Sequence, residues 1–176
     1  GGALCYNDDS LEQIFCDLKN FGIHGPESVP YVGGNAKMNE FCAAMGLCNL
    51  RHLDSEIEKR RTVSEHYNAR LSGINGIKLN TPQSGVKSNY GYYPVVFDGY
   101  KYTRDEIFDR LGKEGVVARK YFYPLTNSFE CYRGKPGFDP DATPAAKHTA
   151  EHVLTLPLYA GLSSDDIDRI CDIILN

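Results

Sequence analysis

The chain has no apolar run approaching the ~20 residues of a bilayer-spanning helix and no block of basic residues. The first absence argues against a transmembrane helix; the second argues against nucleic acid or an anionic membrane as a partner. No secretory leader is visible. Cys5, Cys16, Cys42, Cys48, Cys131 and Cys171 form no Cys-x-x-Cys pair, and none stands at a zinc-like spacing from a histidine. They are expected to be reduced and buried, as in a cytoplasmic protein. Also missing are a Gly-x-Ser-x-Gly elbow, a His-Glu-x-x-His pair, a P-loop and a Gly-x-Gly-x-x-Gly turn. No self-contained catalytic machine is therefore written in the sequence. Internal repeats and low-complexity tracts are lacking too.

What is there is an ordinary globular composition. In 176 residues, 41% are hydrophobic and 24% charged, with a net charge of −4, enough for one domain with a real core. The opening Gly-Gly-Ala-Leu is neither a start methionine nor a basic leader, and reads as a piece of something longer.

Local patterns divide the chain. Gly1 to Tyr6 reads as a strand, and Ser10 as the cap of a helix with Leu11, Ile14, Phe15 and Leu18 on one face. Asn20 and Gly22 end that helix. Residues 22–37 form a loop with four glycines and two prolines, a length that is usually functional or disordered. A helix from about Met38 to Leu53 follows, with Met38, Phe41, Cys42 and Met45 on an apolar face. Asp54 is expected to cap a second helix to about Leu71, whose charged run is read as a solvated face. Ile74 to Leu79, Tyr90 to Phe97, Val116 to Tyr123 and Val153 to Leu158 read as strands. Helices open at the Thr103–Glu106 capping box, at Thr143-Pro144 and at Ser163–Asp166. The order implies an α/β fold, a small sheet covered by helices. The domain boundary is drawn near residue 60, with 1–60 belonging to a larger neighbouring domain and 61–176 forming a small C-terminal α/β domain.

Two clusters carry chemistry. In Gly33-Gly34-Asn35-Ala36-Lys37, a glycine turn lets the backbone approach a ligand, Asn35 offers an amide and Lys37 a cation just before a helix. That suits a phosphate; a plain glycine turn with an Asx cap is equally compatible. In Arg119-Lys120-Tyr121-Phe122-Tyr123-Pro124, cations adjoin aromatics, which suits sugars and phosphates, or an aromatic core strand with exposed basic neighbours. His148 and His152 stand four apart on an expected helix. With no carboxylate or cysteine ligand positioned alongside, a surface or packing role is expected and no metal.

Taken in order, several stretches resemble the DegT-type, pyridoxal-phosphate-dependent (PLP) nucleotide-sugar aminotransferases. They are Gly1–Leu4, Leu18–Gly22, Gly34–Glu40 with Ala43–Leu47, Ser88–Val95, Ala118–Leu125 and Val153–Leu158. Lys37-Met38 and the Arg119–Pro124 segment look most like the branch that makes dTDP-4-amino-4,6-dideoxyglucose. The resemblance covers essentially the whole chain.

The resemblance implies the C-terminal portion of a fold-type-I aminotransferase, preceded by the last strand and helices of the large domain. It implies a homodimer using PLP. The Schiff-base lysine would lie upstream of Gly1, so this chain holds no catalytic residue and is not expected to bind PLP alone. Asn35 matches the residue that reaches the cofactor phosphate of the partner subunit. Lys37 stands where the family has an arginine near the nucleotide diphosphate, and Tyr121 and Tyr123 match the segment lining the sugar pocket. Thr126-Asn127 stands where many members carry a histidine. The implied reaction moves an amino group from glutamate to a dTDP-linked 4-keto-6-deoxy sugar, for O-antigen or another surface glycan. The rivals are a PLP-dependent sugar dehydratase of the same fold and a non-catalytic sugar-nucleotide-binding module.

Overall fold

The structure, a computed structural model, describes residues 1–81 and 83–176. It forms two compact units, Gly1–Leu53 and Asp54–Asn176. The division falls inside one long helix, seven residues before the boundary expected from sequence.

In the first unit, α1 (Leu11–Lys19) is opened by Asp8 rather than Ser10. Ser10 has helical backbone angles and makes no side-chain cap. The Asp8 carboxylate instead accepts from the Ser10 amide at 3.0 Å and from its hydroxyl at 2.7 Å. Those bonds hold the Asp8 carboxyl below its ordinary value. Asn20 closes the helix as expected. The expected strand at Gly1–Tyr6 is absent, because no described strand lies beside it to pair its backbone.

Asn39 opens α2 (Glu40–Leu71), its side chain accepting from the Cys42 amide at 2.9 Å. The two helices expected here are one helix of 32 residues. Asp54 is interior because a cap needs a non-helical backbone, and residues 50–58 contain neither glycine nor proline to supply a break. Its charges pair along the helix, Lys59 with Glu56 at 2.8 Å and Arg61 with Glu58 and Glu65.

The second unit is built on a three-stranded antiparallel sheet in the order β1 (Ile77–Leu79), β2 (Tyr93–Phe97), β3 (Val153–Leu156). Ile77 faces Phe97 and Val95 faces Leu154. Alternate residues of β2 are buried, whereas all four of β3 are, so β3 is covered on both faces. The expected strand at Val116–Tyr123 reduces to a single bridge, Arg119 with Thr155. Beyond it the chain turns at Tyr121–Phe122, and Pro124 has no N–H to continue a ladder.

Helices α3 (Arg104–Lys113) and α5 (Ser164–Leu175) pack together over the sheet, and α4 (Pro144–His152) adjoins β2. The capping box of α3 forms in both directions between Thr103 and Glu106. Ile167, Ile170, Cys171 and Ile174 of α5 are all buried. The carbonyls ending α5 are taken up by Tyr100, Lys101 and Tyr102. From α2, Tyr67 and Leu71 complete the core. The Tyr67 hydroxyl donates to the Pro157 carbonyl and Tyr93 donates to Asn68. Cysteine burial was overestimated from sequence. All six thiols are free, but only Cys171 is buried, its pKa pushed up by burial to about 11.

Candidate functional site

The segment Gly33–Lys37 lies antiparallel against the end of α1. The Gly34 amide donates to the Leu18 carbonyl at 3.0 Å, Phe21 donates back to the Gly34 carbonyl at 3.0 Å, and Ala36 donates to Lys19 at 2.9 Å. Glycine is required for this approach. A Cβ on Gly33 would stand 2.2 Å from the Gly22 nitrogen and 2.6 Å from the Leu18 carbonyl oxygen. Gly22, with φ +78°, is pressed more closely still, a Cβ there standing 1.8 Å from the Tyr31 carbonyl oxygen. Under the turn, buried Asp17 accepts from Gln13 Nε2 at 2.7 Å and lies 2.9 Å from His24 Nδ1. Burial pushes the Asp17 carboxyl up, but those two partners outweigh it and leave it below the ordinary value.

This frame presents the two residues singled out from sequence. Asn35 is exposed, and among the described residues its side chain makes no hydrogen bond. Lys37 is fixed: its ammonium donates to Asn20 Oδ1 at 2.9 Å and sits 5.1 Å above the Phe21 ring. An uncommitted amide and a positioned cation stand two residues apart, donor types of the kind that anions accept.

Tyr121 and Tyr123 lie in the second unit. Tyr121 packs against Tyr92 at 4.7 Å between ring centroids and against Phe122 at 4.2 Å. Tyr123 is exposed and backed by buried Arg104, whose guanidinium lies 4.9 Å from its ring. The neighbouring cations are engaged locally, Lys120 with Asp105 at 2.5 Å and Arg119 over Phe122 at 5.3 Å. The aromatic platform is therefore open while its basic flank is already paired. Asn127 donates to the Asp139 carbonyl at 2.6 Å and to Thr143 at 3.2 Å, bracing the loop before α4. Asn20, Phe21, Tyr92 and Arg104 were not singled out as site residues from sequence. Each acts through a partner distant in the chain, which no local motif signals.

The profile of the DegT/DnrJ/EryC1/StrS aminotransferase family matches residues 1–175. The chain belongs to this family. Among its relatives, the dTDP-4-amino-4,6-dideoxy-D-glucose transaminase of Escherichia coli is 36% identical over 176 residues, covering 99% of this chain and 47% of the relative. The GDP-perosamine synthase of Vibrio cholerae is 25% identical, covering 100% and 48%. In structure, the chain resembles DesI in the presence of its TDP-sugar product, at 33% identity and a TM-score of 0.82, covering 95% of this chain and 42% of that one. It likewise resembles the aminotransferase TlmJ of Streptoalloteichus hindustanus, at 26% identity and a TM-score of 0.84, covering 97% and 45%. The chain thus spans about half the length of the family members it matches.

Proposed function

We propose that this chain is the C-terminal part of a PLP-dependent aminotransferase. Its substrate is a dTDP-linked 4-keto-6-deoxy sugar, its amino donor glutamate, and its product a precursor of O-antigen or another surface polysaccharide. The working unit is a cytoplasmic homodimer. Among the described residues no helix is long and apolar enough to cross a membrane, which accords with that setting.

The observation that carries this reading is the braced segment Gly33–Lys37, with its unengaged Asn35 amide and fixed Lys37 ammonium. A phosphate monoester fits such a donor set. Asn35 holds the PLP phosphate of the partner subunit, and Lys37 meets the nucleotide diphosphate. Tyr121 and Tyr123 line the sugar pocket, where ring faces pack on the sugar and exclude water. When bound, PLP supplies the electron sink that allows an amino group to change carriers. The lysine that holds it covalently belongs to the part of the protein upstream of Gly1.

The test is a pair of variants in the full-length protein. A hydrogen bond to a charged group is worth roughly 1.5–3 kcal/mol, so Asn35→Ala should weaken PLP retention about ten- to a hundredfold. Lys37→Ala should raise KM for the nucleotide sugar more than it lowers kcat, because a remote phosphate contact serves ground and transition states alike. An Asn35→Ala protein that holds PLP as tightly as the parent would refute the phosphate assignment. A uniform loss of melting temperature, cofactor and substrate binding in both variants would mark the segment as merely structural.

A further inference from the structure

The fold brings together three potential metal ligands that the sequence keeps apart. Asp98 directly follows β2, its amide held by the Gly76 carbonyl at 2.9 Å. His148 and His152 stand one turn apart on α4, fifty residues further on. One ligand atom from each of the three lies within 4.8 Å of the others. His148 Nε2 is 3.4 Å from Asp98 Oδ2. Bonds of about 2.0–2.1 Å in a tetrahedral zinc site put neighbouring donors roughly 3.3 Å apart, so this pair already has the separation that a shared ion requires.

We propose that Asp98, His148 and His152 bind a divalent transition-metal ion of the zinc type. Three features beyond proximity support it. His152 Nδ1 lies 2.6 Å from the His148 carbonyl oxygen, so that nitrogen carries the proton and donates. This leaves Nε2 with its lone pair free, the arrangement by which a backbone carbonyl orients a ligating imidazole. The imidazole rings stack at 4.2 Å between centroids, one above the other on the helix. A cleft of about 370 Å³, lined by Gly99, Tyr100, Thr103, Glu151 and His152, reaches the cluster at His152. The donor set of two imidazoles and one carboxylate suits zinc.

Lys78 opposes the ion. Its ammonium lies 2.6 Å from Asp98 Oδ2, the oxygen facing His148, and its side chain is 64% exposed. Lys78 is therefore a built-in competitor that must swing into solvent before metal enters. Once bound, the ion links α4 to the end of β2 through side chains that otherwise meet only by weak contacts.

The experiment is calorimetric titration of the full-length protein with zinc chloride alone, after alkylating its exposed thiols so that cysteine is not the ligand. The parent should take up one equivalent that His148→Ala and Asp98→Asn weaken by at least about tenfold, since even losing an outer-shell partner costs roughly 10–100-fold in affinity. Lys78→Gln should bind several-fold more tightly, and zinc should raise the melting temperature of the parent and Lys78→Gln but not of His148→Ala. Zinc uptake that is absent, or that survives His148→Ala or Asp98→Asn unchanged, overturns the proposal. So does tighter binding in Lys78→Gln that persists when Asp98→Asn is added.

Discussion

Arg104 ties the core of the second unit to its aromatic platform, and replacing it by methionine measures that tie. Only 3% exposed, it donates from Nη1 to the Ala150 carbonyl at 2.9 Å and to Val153 at 3.4 Å. Its guanidinium also backs the Tyr123 ring. Bonds from a charged donor are worth roughly 1.5–3 kcal/mol and a cation–π contact about 0.5–2 kcal/mol. Methionine forfeits both. It also relieves part of the cost of burying a guanidinium, whose Nε lies 2.7 Å from Asp105 Oδ1 as an ion pair without an aligned hydrogen bond, and this offsets some of the loss. The net expectation is a loss of about 2 kcal/mol in urea unfolding, with the fold retained because the apolar volume is largely kept. In the full-length protein, KM for the nucleotide sugar should rise as Tyr123 loses its backing, with kcat less affected. Arg104→Lys, which keeps the charge without the planar fork, should fall between. Stability within about 0.5 kcal/mol of the parent would refute the energetic argument. Lost stability with unchanged KM would refute the link to Tyr123.

Three other perturbations probe separate parts of the structure. Gly33→Ala should cost about 1–3 kcal/mol and weaken PLP retention, because its Cβ meets backbone rather than a movable side chain; thermal melting and cofactor titration check both. Asp168 is held below the ordinary carboxylate value by His66 and then Arg70, so its stabilisation is complete above about pH 4 and is lost as pH falls through its lower folded value. Melting curves of parent and Asp168→Asn should therefore differ at neutral pH and converge in acid; a constant gap contradicts the assignment. Phe41, Met45 and Leu50 are exposed on the first half of α2 at 88%, 63% and 67%, so the isolated chain should self-associate and Phe41→Glu should reduce this. A parent chain that sediments as a clean monomer at high concentration would count against it.

What the sequence made legible was local. The Thr103–Glu106 box and the apolar spacing of α5 were readable because each depends only on neighbours three or four residues apart on one helix. The Gly33–Lys37 segment could be marked as a glycine turn with an amide and a cation. Its packing against α1 could not, since the clash at Gly33 involves atoms from Leu18 to Gly22. Ser10 misled because its own amide and hydroxyl both donate to the Asp8 carboxylate, which turns the hydroxyl away from the helix. Val116–Tyr123 had a strand's composition, but only Arg119 found a backbone partner. Asp98 joins His148 and His152 only through tertiary folding, so helical spacing alone exposed two of the three residues of that cluster.

The enzyme proposed above aminates a dTDP-linked keto-sugar. Its most direct test incubates the full-length protein with PLP, dTDP-4-keto-6-deoxyglucose and glutamate carrying isotopically labelled nitrogen, followed by mass spectrometry of the nucleotide sugar. Labelled nitrogen in the sugar and 2-oxoglutarate in equal amount are expected. A deoxygenated sugar without nitrogen would instead indicate a dehydratase, and an unchanged keto-sugar with every component bound would contradict the account outright.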